Sequence, residues 1–321
     1  MMRGSQKDLP RPAQTPFDPD GDPDLYRRWR DRKLAACPGS AADLRVDVSD
    51  PERLSDAEAE AMLDVIRKTN MVIYRAPAHG GPRCLRALAA QMGLRGLDRN
   101  LLAGEDGLSA LRVTPEKQGR GYIPYSNKRL LWHTDGYYNP PSRRIRAMAL
   151  HCVRPAPEGG WNRLLDPEIL YIHMREADPE HVRVLMAPDA LTIPANTEAG
   201  EACRPAETGP VFSIDPVTGD LHMRYTARVR SIRWKEDRRV QRAVRWLEDY
   251  LGTGGPHVYR LRLEAGEGII CNNVLHDRSA FVDGDSPEQQ RLIYRGRYHE
   301  RVRDTHWHRL LEPEDGHVVP Q

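Results

Sequence analysis

The sequence predicts a mainly β protein with flanking helices. Between Leu111 and Tyr298 it contains many short β-like runs, and Gly, Pro and Asp separate these runs. This pattern is typical of an antiparallel barrel or sandwich rather than of alternating strands and helices. The runs that we interpret as strands are 147–153, 211–214, 222–225, 258–263, 269–271 and 292–294.

Helical patterns precede and interrupt these strands. Ser55 and Glu58 have the spacing of a capping box, which predicts a helix that begins after Ser55 and stops near Asn70. Asp166 followed by Pro167 has the residue types of a helix N-cap and first position. Further helices are predicted at 24–36, 82–92, 166–177 and 236–251, the last from the helical spacing of its apolar residues.

A single domain at about residues 25–311 accounts for most of the chain. Residues 1–24 are rich in Pro, Asp and Gly and poor in large apolar residues, so we expect a disordered N-terminal arm. Residues 195–209 are small, polar and rich in turn formers, which suggests a lid-like insert; a plain surface loop is the alternative. Residues 312–321 are expected to form a loose tail.

Composition and charge exclude several classes of protein. The 321 residues include 48 Lys and Arg against 46 Asp and Glu, so no strong nucleic-acid or membrane field is expected. The five cysteines are scattered, without a CxxC pair, which argues against a disulfide scaffold and favours a cytoplasmic location. We find neither a secretory signal nor an apolar run of the ~18–20 residues that span a bilayer. The oligomeric state stays open, a homo-oligomer included.

The motif His133-Thr134-Asp135 is the sharpest local feature. In a strand, residues i and i+2 point to one face, so this imidazole and carboxylate converge. An HxD motif is common by chance, and a structural His is the alternative. However, His276 follows an apolar run that begins at Gly268, and it would complete a set of two His and one carboxylate. That set is the facial triad of non-haem Fe(II) oxygenases, which leaves coordination positions open.

Two arginines follow on the next predicted strand. Arg291 and Arg295 face the same way in an extended chain, because side chains alternate. A guanidinium that points into a barrel needs an anionic partner. One carboxylate of a bound dicarboxylate could be this partner, because it can accept two hydrogen bonds from the guanidinium.

Together these motifs resemble the taurine dioxygenase/TfdA family of Fe(II)- and 2-oxoglutarate-dependent oxygenases. The resemblance covers roughly residues 55–300. The segments that carry it are 132–136, 140–141, 159–160, 165–166, 276–281 and 291–295. Segments 125–133 and 296–298 are also similar to the γ-butyrobetaine hydroxylase branch, although that branch usually has Gly where this chain has Asp277.

The resemblance implies a distorted double-stranded β-helix core, the cupin-like jelly-roll, with helices on one side. It implies that His133, Asp135 and His276 bind iron and carry the catalysis. It also implies that Arg291 pairs with the C5 carboxylate of 2-oxoglutarate. Asn162 stands where relatives often place a Thr near this co-substrate, and an amide can donate a hydrogen bond as a hydroxyl would.

The implied reaction uses Fe(II), 2-oxoglutarate and O2 to hydroxylate an unactivated C–H bond of a small molecule, with release of succinate and CO2. The presence of Asp135 favours hydroxylation, because halogenating relatives replace that carboxylate with a small residue. Arg295 matches a position that contacts an anionic substrate in sulfonate-oxidising relatives. Arg297, with Arg224 and Arg228, also suggests a carboxylate, sulfonate or phosphonate substrate.

A second interpretation of the substrate uses aromatic residues. Four tyrosines flank the expected iron ligands: Tyr125, Tyr137, Tyr138 and Tyr298. Their faces could enclose a quaternary ammonium by cation–π attraction, and a betaine or amino acid could use both tyrosines and arginines. Ordinary packing inside the barrel is the alternative for these tyrosines.

Two functions of other classes stay open at this point. A Zn-dependent hydrolase could use the same three ligands, but it has no use for Arg291 and needs a general base that we do not identify. A non-catalytic jelly-roll module that binds a metal or ligand would carry the His-Asp-His set and the trailing Arg only by chance.

Overall fold

The computed structural model describes residues 14–77, 80–98, 104, 107–114, 123–196 and 204–312. This part of the chain contains six α-helices and seventeen β-strands. The helices are α1 (Pro23–Ala35), α2 (Asp56–Thr69), α3 (Pro82–Gln91), α4 (Pro167–Ala177), α5 (Pro179–Leu185) and α6 (Arg238–Thr253). The strands are β1 (Arg45–Asp47), β2 (Met71–Arg75), β3 (Ser109–Leu111), β4 (Leu130–His133), β5 (Ala147–Arg154), β6 (Glu158–Gly159), β7 (Asn162–Leu165), β8 (Leu191–Ile193), β9 (Glu207–Gly209), β10 (Phe212–Ile214), β11 (Leu221–Met223), β12 (Arg233–Trp234), β13 (Tyr259–Leu261), β14 (Glu267–Cys271), β15 (Leu275–Arg278), β16 (Phe281–Val282) and β17 (Leu292–Tyr298).

The largest sheet has the strand order β1-β2-β14-β5-β17-β3. Its two faces are buried against different partners, because successive side chains alternate across a strand. On β5, Ala149 joins the cluster formed with α2 and α3, whereas Leu150 faces the interior of the protein. On β17, Ile293 faces the interior, so Arg295 and Arg297, which share its alternation, face inward as well.

A four-stranded sheet, β13-β7-β15-β4, lies opposite that inner face. Leu164 and Tyr259 of this sheet share one buried cluster with Leu150 and Ile293 of the large sheet. The prediction of a mainly β protein with flanking helices is therefore confirmed. The jelly-roll core stays a prediction at this stage.

A second helical layer covers the other side of the four-stranded sheet. Helices α1, α4, α5 and α6 pack there around one buried cluster, together with the short strands β8, β10 and β11. Leu165 and Leu275 connect this cluster to the four-stranded sheet. The strands that carry the expected metal ligands are therefore supported on both faces.

The helix boundaries read from the sequence are confirmed. Ser55 forms a capping box with Glu58, because each side chain accepts from the backbone of the other residue. Asn70 ends α2 with φ 57°, a left-handed conformation that Asn tolerates. The side chain of Asp166 caps α4 by accepting from the amide of Glu168.

The expectation of a disordered arm up to residue 24 is wrong for residues 14–24. Phe17 is fully buried, with its ring centroid 4.7 Å from that of Trp29 and 5.7 Å from that of Tyr171. Thr15 donates a hydrogen bond to the carbonyl of Gly219 at 2.6 Å. A segment of polar average composition can be ordered by one aromatic side chain, because burying that side chain removes a large apolar surface from water. Residues 1–13 and most of the expected tail, 313–321, lie outside the described residues.

Two expectations from composition concern cysteines and membranes. Cys37, Cys84, Cys152 and Cys271 are free thiols, and Cys203 lies outside the described part of the chain. Among the described residues, no helix combines the length and apolar character that crossing a bilayer requires.

A buried ion cluster joins α1 to α4. Lys33 is fully buried, and its Nζ lies 2.7 Å from Asp166 Oδ2 and 2.6 Å from Glu168 Oε2. Asn70 donates from Nδ2 to the other oxygen of Asp166 at 3.0 Å. Burial alone would lower the pKa of Lys33, but the two carboxylates outweigh it and raise that pKa to about 12. The cluster therefore holds a charged Lys in the core.

We predict that Lys33→Met lowers the free energy of unfolding by about 3–5 kcal/mol, because it removes the buried positive charge shared by Asp166 and Glu168. Glu168 keeps Arg301 as a more distant cation at 3.6 Å, whereas Asp166 forms no other ion pair with the described residues. Urea denaturation measures the change. Lys235→Met is the matched control, since Lys235 pairs with Asp189 at the surface and contributes less than about 1 kcal/mol. Equal stabilities of the two variants would contradict a stabilising role for the cluster.

Candidate metal centre

Three potential metal ligands converge between two paired strands. His133 ends β4, and its register partner on β15 is His276. Asp135 follows two residues after His133, and one donor atom from each of the three residues lies within 4.8 Å of the others. The centroids of the two imidazole rings are 4.2 Å apart, and His133 Nε2 lies 3.8 Å from Asp135 Oδ1. One cation could contact all three buried side chains.

Backbone carbonyls orient both imidazole rings. The Nδ1 of His133 lies 2.9 Å from the carbonyl oxygen of Leu131, and the Nδ1 of His276 lies 3.0 Å from that of Val274. With Nδ1–H donated to a carbonyl, each ring presents the lone pair of Nε2 to the centre. Burial and the neighbouring His276 lower the pKa of His133 to about 3, so its imidazole is neutral, as metal binding requires.

Asp135 is held in its charged form. Burial alone would raise its pKa, but Arg295 and Arg297 outweigh this effect and hold that pKa well below the usual range. Arg295 Nη1 donates to Asp135 Oδ1 at 3.2 Å, while Asp135 Oδ2 is buried without a hydrogen-bond partner among the described residues. A buried carboxylate oxygen with no partner, beside two imidazole lone pairs, fits a divalent cation such as Fe(II).

Asn273 fixes the backbone of Asp135, a role that our reading of the sequence missed. Its Oδ1 accepts from the amide of Asp135 at 2.8 Å, and its Nδ2 donates to the carbonyls of Asp135 and Ile145 at 2.9 and 2.7 Å. Asn273 has φ 50°, where Asn is tolerated better than most residues. The sequence did contain a signal for this role, because Asn272 and Asn273 directly follow the apolar run that leads to His276.

Arg291 lies in the interior, where its guanidinium forms no ion pair with the described residues. It is buried, and its Nη1 has no hydrogen-bond partner among the described residues. Its guanidinium carbon lies 5.1 Å from the ring centroid of Phe281, and burial lowers its pKa to about 10. A buried guanidinium with a free donor fits one carboxylate of a dicarboxylate such as 2-oxoglutarate.

The Gly159-Gly160 motif brings a turn close to Arg291. Gly159 has φ 75°, and a Cβ there would lie 2.3 Å from the carbonyl oxygen of Ala280, so no other residue fits without a shift. A Cβ at Gly160 would lie 4.0 Å from Arg291 Nε. Asn162 is buried nearby on β7, and its Nδ2 donates to the carbonyl of Gly160 at 3.4 Å.

The structure separates the four tyrosines into three environments. Tyr125 is buried in the same interior cluster as Ile293, and its hydroxyl has no partner among the described residues. The rings of Tyr137 and Tyr138 pack edge to face with centroids 5.2 Å apart. The hydroxyl of Tyr138 accepts from Arg297 Nη1 at 2.8 Å.

The assignment of Tyr298 to substrate binding is wrong. Its side chain is fully buried in the cluster formed with α2 and α3, on the outer face of the large sheet. The alternation of β17 explains this position, because Tyr298 is an odd number of residues from Arg295 and Arg297.

The other arginines differ in how their charge is balanced. Arg297 Nη2 lies 2.5 Å from Asp98 Oδ2, and Arg143 pairs with the same carboxylate at 2.8 Å. Arg224, which the sequence suggested as part of the pocket, instead donates to the carbonyls of Leu191 and Gly209 and links neighbouring strands. That suggestion is wrong, because the guanidinium is occupied by the backbone.

The 195–209 insert reaches the site through Arg204. Its guanidinium carbon lies 5.8 Å from the ring centroid of Tyr138, and the backbone of Arg204 pairs with that of Asn196. Tyr138 in turn contacts Arg297, so the described ends of the insert lie beside the inward-facing arginines. Residues 197–203 lie outside the described part.

We predict that Asn273→Gly weakens Fe(II) binding by roughly 10- to 100-fold, the usual effect of losing a group that orients a metal ligand. Glycine accepts the left-handed backbone, so the change removes mainly the amide contacts to Asp135. Anaerobic Fe(II) titration measures the effect. Asn139→Gly is the control, because the Asn139 amide donates to the exposed carbonyl of Arg143 on the same loop. Unaltered affinity in Asn273→Gly would contradict the role of this amide.

Comparison with known proteins identifies relatives of this chain. The sequence profile of the family described as "Taurine catabolism dioxygenase TauD, TfdA family" matches residues 30–297. A uridine-5'-phosphate dioxygenase of Amycolatopsis sp is 30% identical over 205 residues, which span 61% of this chain and 69% of that protein. A uridine-5'-phosphate dioxygenase of Streptomyces sp is 31% identical over 176 residues, 51% of this chain and 59% of that protein.

Solved structures share the fold. Asparagine oxygenase in complex with Fe(II), 2S,3S-3-hydroxyasparagine and succinate aligns with a TM-score of 0.54 and 15% identity, over 86% of this chain and 92% of that chain. The non-heme iron oxygenase OrfP in complex with Fe and alpha-ketoglutaric acid aligns with a TM-score of 0.54 and 16% identity, over the same shares.

Proposed function

The chain belongs to the TauD/TfdA family of dioxygenases, and we propose that it hydroxylates an unactivated C–H bond of a small anionic or zwitterionic molecule. It is an enzyme that depends on Fe(II) and 2-oxoglutarate, so the Zn-dependent hydrolase and the non-catalytic module are set aside. In the proposed reaction, O2 supplies one oxygen atom to the product hydroxyl and one to succinate, and CO2 leaves. The two facing sheets would form the double-stranded β-helix. The similarity to the γ-butyrobetaine branch stays a prediction.

Two buried polar atoms without hydrogen-bond partners carry the proposal. Asp135 Oδ2 and Arg291 Nη1 are both buried and have no hydrogen-bond partner among the described residues. Asp135 follows a strand of the four-stranded sheet and Arg291 precedes a strand of the large sheet that lies opposite. His133, Asp135 and His276 would hold Fe(II), while Arg291, with Asn162 beside it, would hold the C5 carboxylate of 2-oxoglutarate. Held by these residues, iron and 2-oxoglutarate would supply the oxidising chemistry that a substrate C–H bond requires.

The chain's own residues hold the centre in place and exclude water. Arg295 keeps Asp135 ionised and limits its rotation through the 3.2 Å hydrogen bond. The three ligands are nearly inaccessible to solvent, so competing reactions with water are suppressed. Tyr125, assigned from the sequence to the substrate, shares its cluster with Ile293 and so lies in the interior.

The inward face of β17 supports an anionic or zwitterionic substrate. Arg295 has a buried Nε without a partner among the described residues, and Arg297 lies two residues farther along the same face. Tyr137 and Tyr138 add an aromatic wall beside Arg297. An acidic group at the arginines and an apolar or cationic part at the tyrosines would satisfy both surfaces.

A nucleoside 5'-phosphate is a second candidate substrate. It is favoured by the two related uridine-5'-phosphate dioxygenases, which are 30% and 31% identical to the matched parts of this chain. The edge-to-face pair Tyr137–Tyr138 offers a ring on which a base could stack.

The deciding experiment has two steps. We expect the weak visible charge-transfer band of an Fe(II)–2-oxoglutarate chelate under anaerobic conditions, only with both components present, and its loss in His276→Ala. Carboxylates, sulfonates, phosphonates, L-amino acids, betaines and uridine 5'-phosphate are then screened for perturbation of that band and for one succinate per oxidised product. A band in His276→Ala would refute the ligand assignment, and a band without any coupled turnover would refute the proposed substrate classes.

We predict that Arg291→Gln raises the 2-oxoglutarate concentration needed for half-maximal turnover by roughly 100-fold, because a charge-assisted bidentate contact is lost. Steady-state kinetics at saturating Fe(II) measures it. Arg154→Gln is the control, since Arg154 lies at the surface on the neighbouring strand and donates to the carbonyl of Gln290. An unchanged requirement in Arg291→Gln would move this role to another residue.

A further inference from the structure

A cavity lies at the end of the large sheet, where β5 begins and β14 and β17 end. Its volume is about 350 Å³, within the range of small-molecule sites. Six of the described residues that line it are Arg144, Arg146, Asp215, His222, Asn273 and His299. The three expected iron ligands are not among its described lining residues, although Asn273, which contacts the backbone of Asp135, is.

Acidic side chains around this cavity already have partners. Asp215 accepts from Arg146 at 2.8 Å and from the backbone amide of Val217 at 3.0 Å. Asp220 lies 2.6 Å from His306 Nδ1 and accepts from the amide of Trp307 at 3.1 Å. The negative charges of Asp215 and Asp220 are therefore already compensated by groups of the protein itself.

The side chain of Arg144 differs from these groups. Its guanidinium forms no hydrogen bond and no ion pair with the described residues, although the side chain is half-buried. Burial and the neighbouring Arg146 lower its pKa, and the attraction of Asp215 does not offset them. An anion in the cavity would remove this unfavourable energy.

His222 supplies a neutral group beside these cations. Burial, followed by Arg144 and Arg146, lowers its pKa to about 3, so the ring is uncharged near neutral pH. A neutral imidazole can still donate one hydrogen bond to an oxyanion. The cavity thus combines two guanidiniums with a neutral donor.

We propose that this cavity, the Arg144 pocket, binds a phosphate group, either as inorganic phosphate or as a phosphate monoester. The planar fork of Arg144 matches two phosphate oxygens, and Arg146, although paired with Asp215, presents a second guanidinium to the same cavity. A phosphate offers three strong acceptor oxygens, so it can accept from Arg144 and from the neutral ring of His222 at once, which a monocarboxylate with two oxygens does less well. The inference is independent of the reaction at the iron.

Calorimetric titration of inorganic phosphate into the protein loaded with Fe(II) and 2-oxoglutarate tests the proposal. We expect one binding site in the wild type and at least ten-fold weaker binding in Arg144→Gln. Arg245→Gln, at an exposed position on α6, is the matched control and is expected to bind as the wild type does. A wild type that binds no phosphate, or an Arg144→Gln variant that binds equally well, would overturn the proposal.

A spectroscopic signature separates binding in this pocket from binding elsewhere. Phosphate beside His222 is expected to raise the pKa of that imidazole, measured by NMR, in the wild type and in Arg245→Gln but not in Arg144→Gln. Phosphate binding without a change at His222 would place the anion outside the pocket and refute the assignment. Methyl phosphate distinguishes the two sources: tighter binding than inorganic phosphate indicates a monoester, and weaker binding indicates the free ion.

Discussion

The pairing of β4 with β15 is the interaction on which the metal centre depends. It places His133 directly opposite His276, and the carbonyls of Leu131 and Val274 then orient both rings from within their own strands. A register slip of one residue would turn His276 to the other face of the sheet. The helical layer behind Leu165 and Leu275 opposes such a slip, because it buries the side chains that alternate with the ligands.

Charge compensation is the second constraint on the site. Asp135 is the single carboxylate among the proposed ligands, and Arg295 and Arg297 keep it ionised despite its burial. Arg297 is itself paired with Asp98, whereas Arg291 has a free donor among the described residues. The interior between the two sheets therefore contains one incompletely paired anion and one incompletely paired cation. These are the groups that a metal ion and a dicarboxylate would neutralise.

The sequence was sufficient for features that depend on short spacing or local capping. The HxD motif, the inward alternation of Arg291 and Arg295, and the caps of α2 and α4 are examples. His276 lies far from the HxD motif in the chain, and it was found because its residue type completes a facial triad. Features that depend on contacts between distant segments were not predictable in this way. Asn273 contacts a backbone 138 positions away, and Lys33 is buried against carboxylates that belong to another helix. Tyr298 shows a different error, since strand alternation alone already placed it on the outer face.

The backbone from Arg291, which directly precedes β17, to Arg295 on that strand also acts as a molecular ruler. These two residues are four positions apart, so their Cα atoms are separated by roughly 13 Å at the rise of an extended strand. Pairing with β5 keeps Ile293 to Arg295 extended beyond a register shift at Leu292, so the spacing there cannot change in small steps. A shift by two residues would move one arginine by roughly 7 Å, and a shift by one would turn it outward. For the proposed binding of 2-oxoglutarate, backbone geometry rather than a flexible loop would therefore set the length of diacid that reaches both the metal and Arg291.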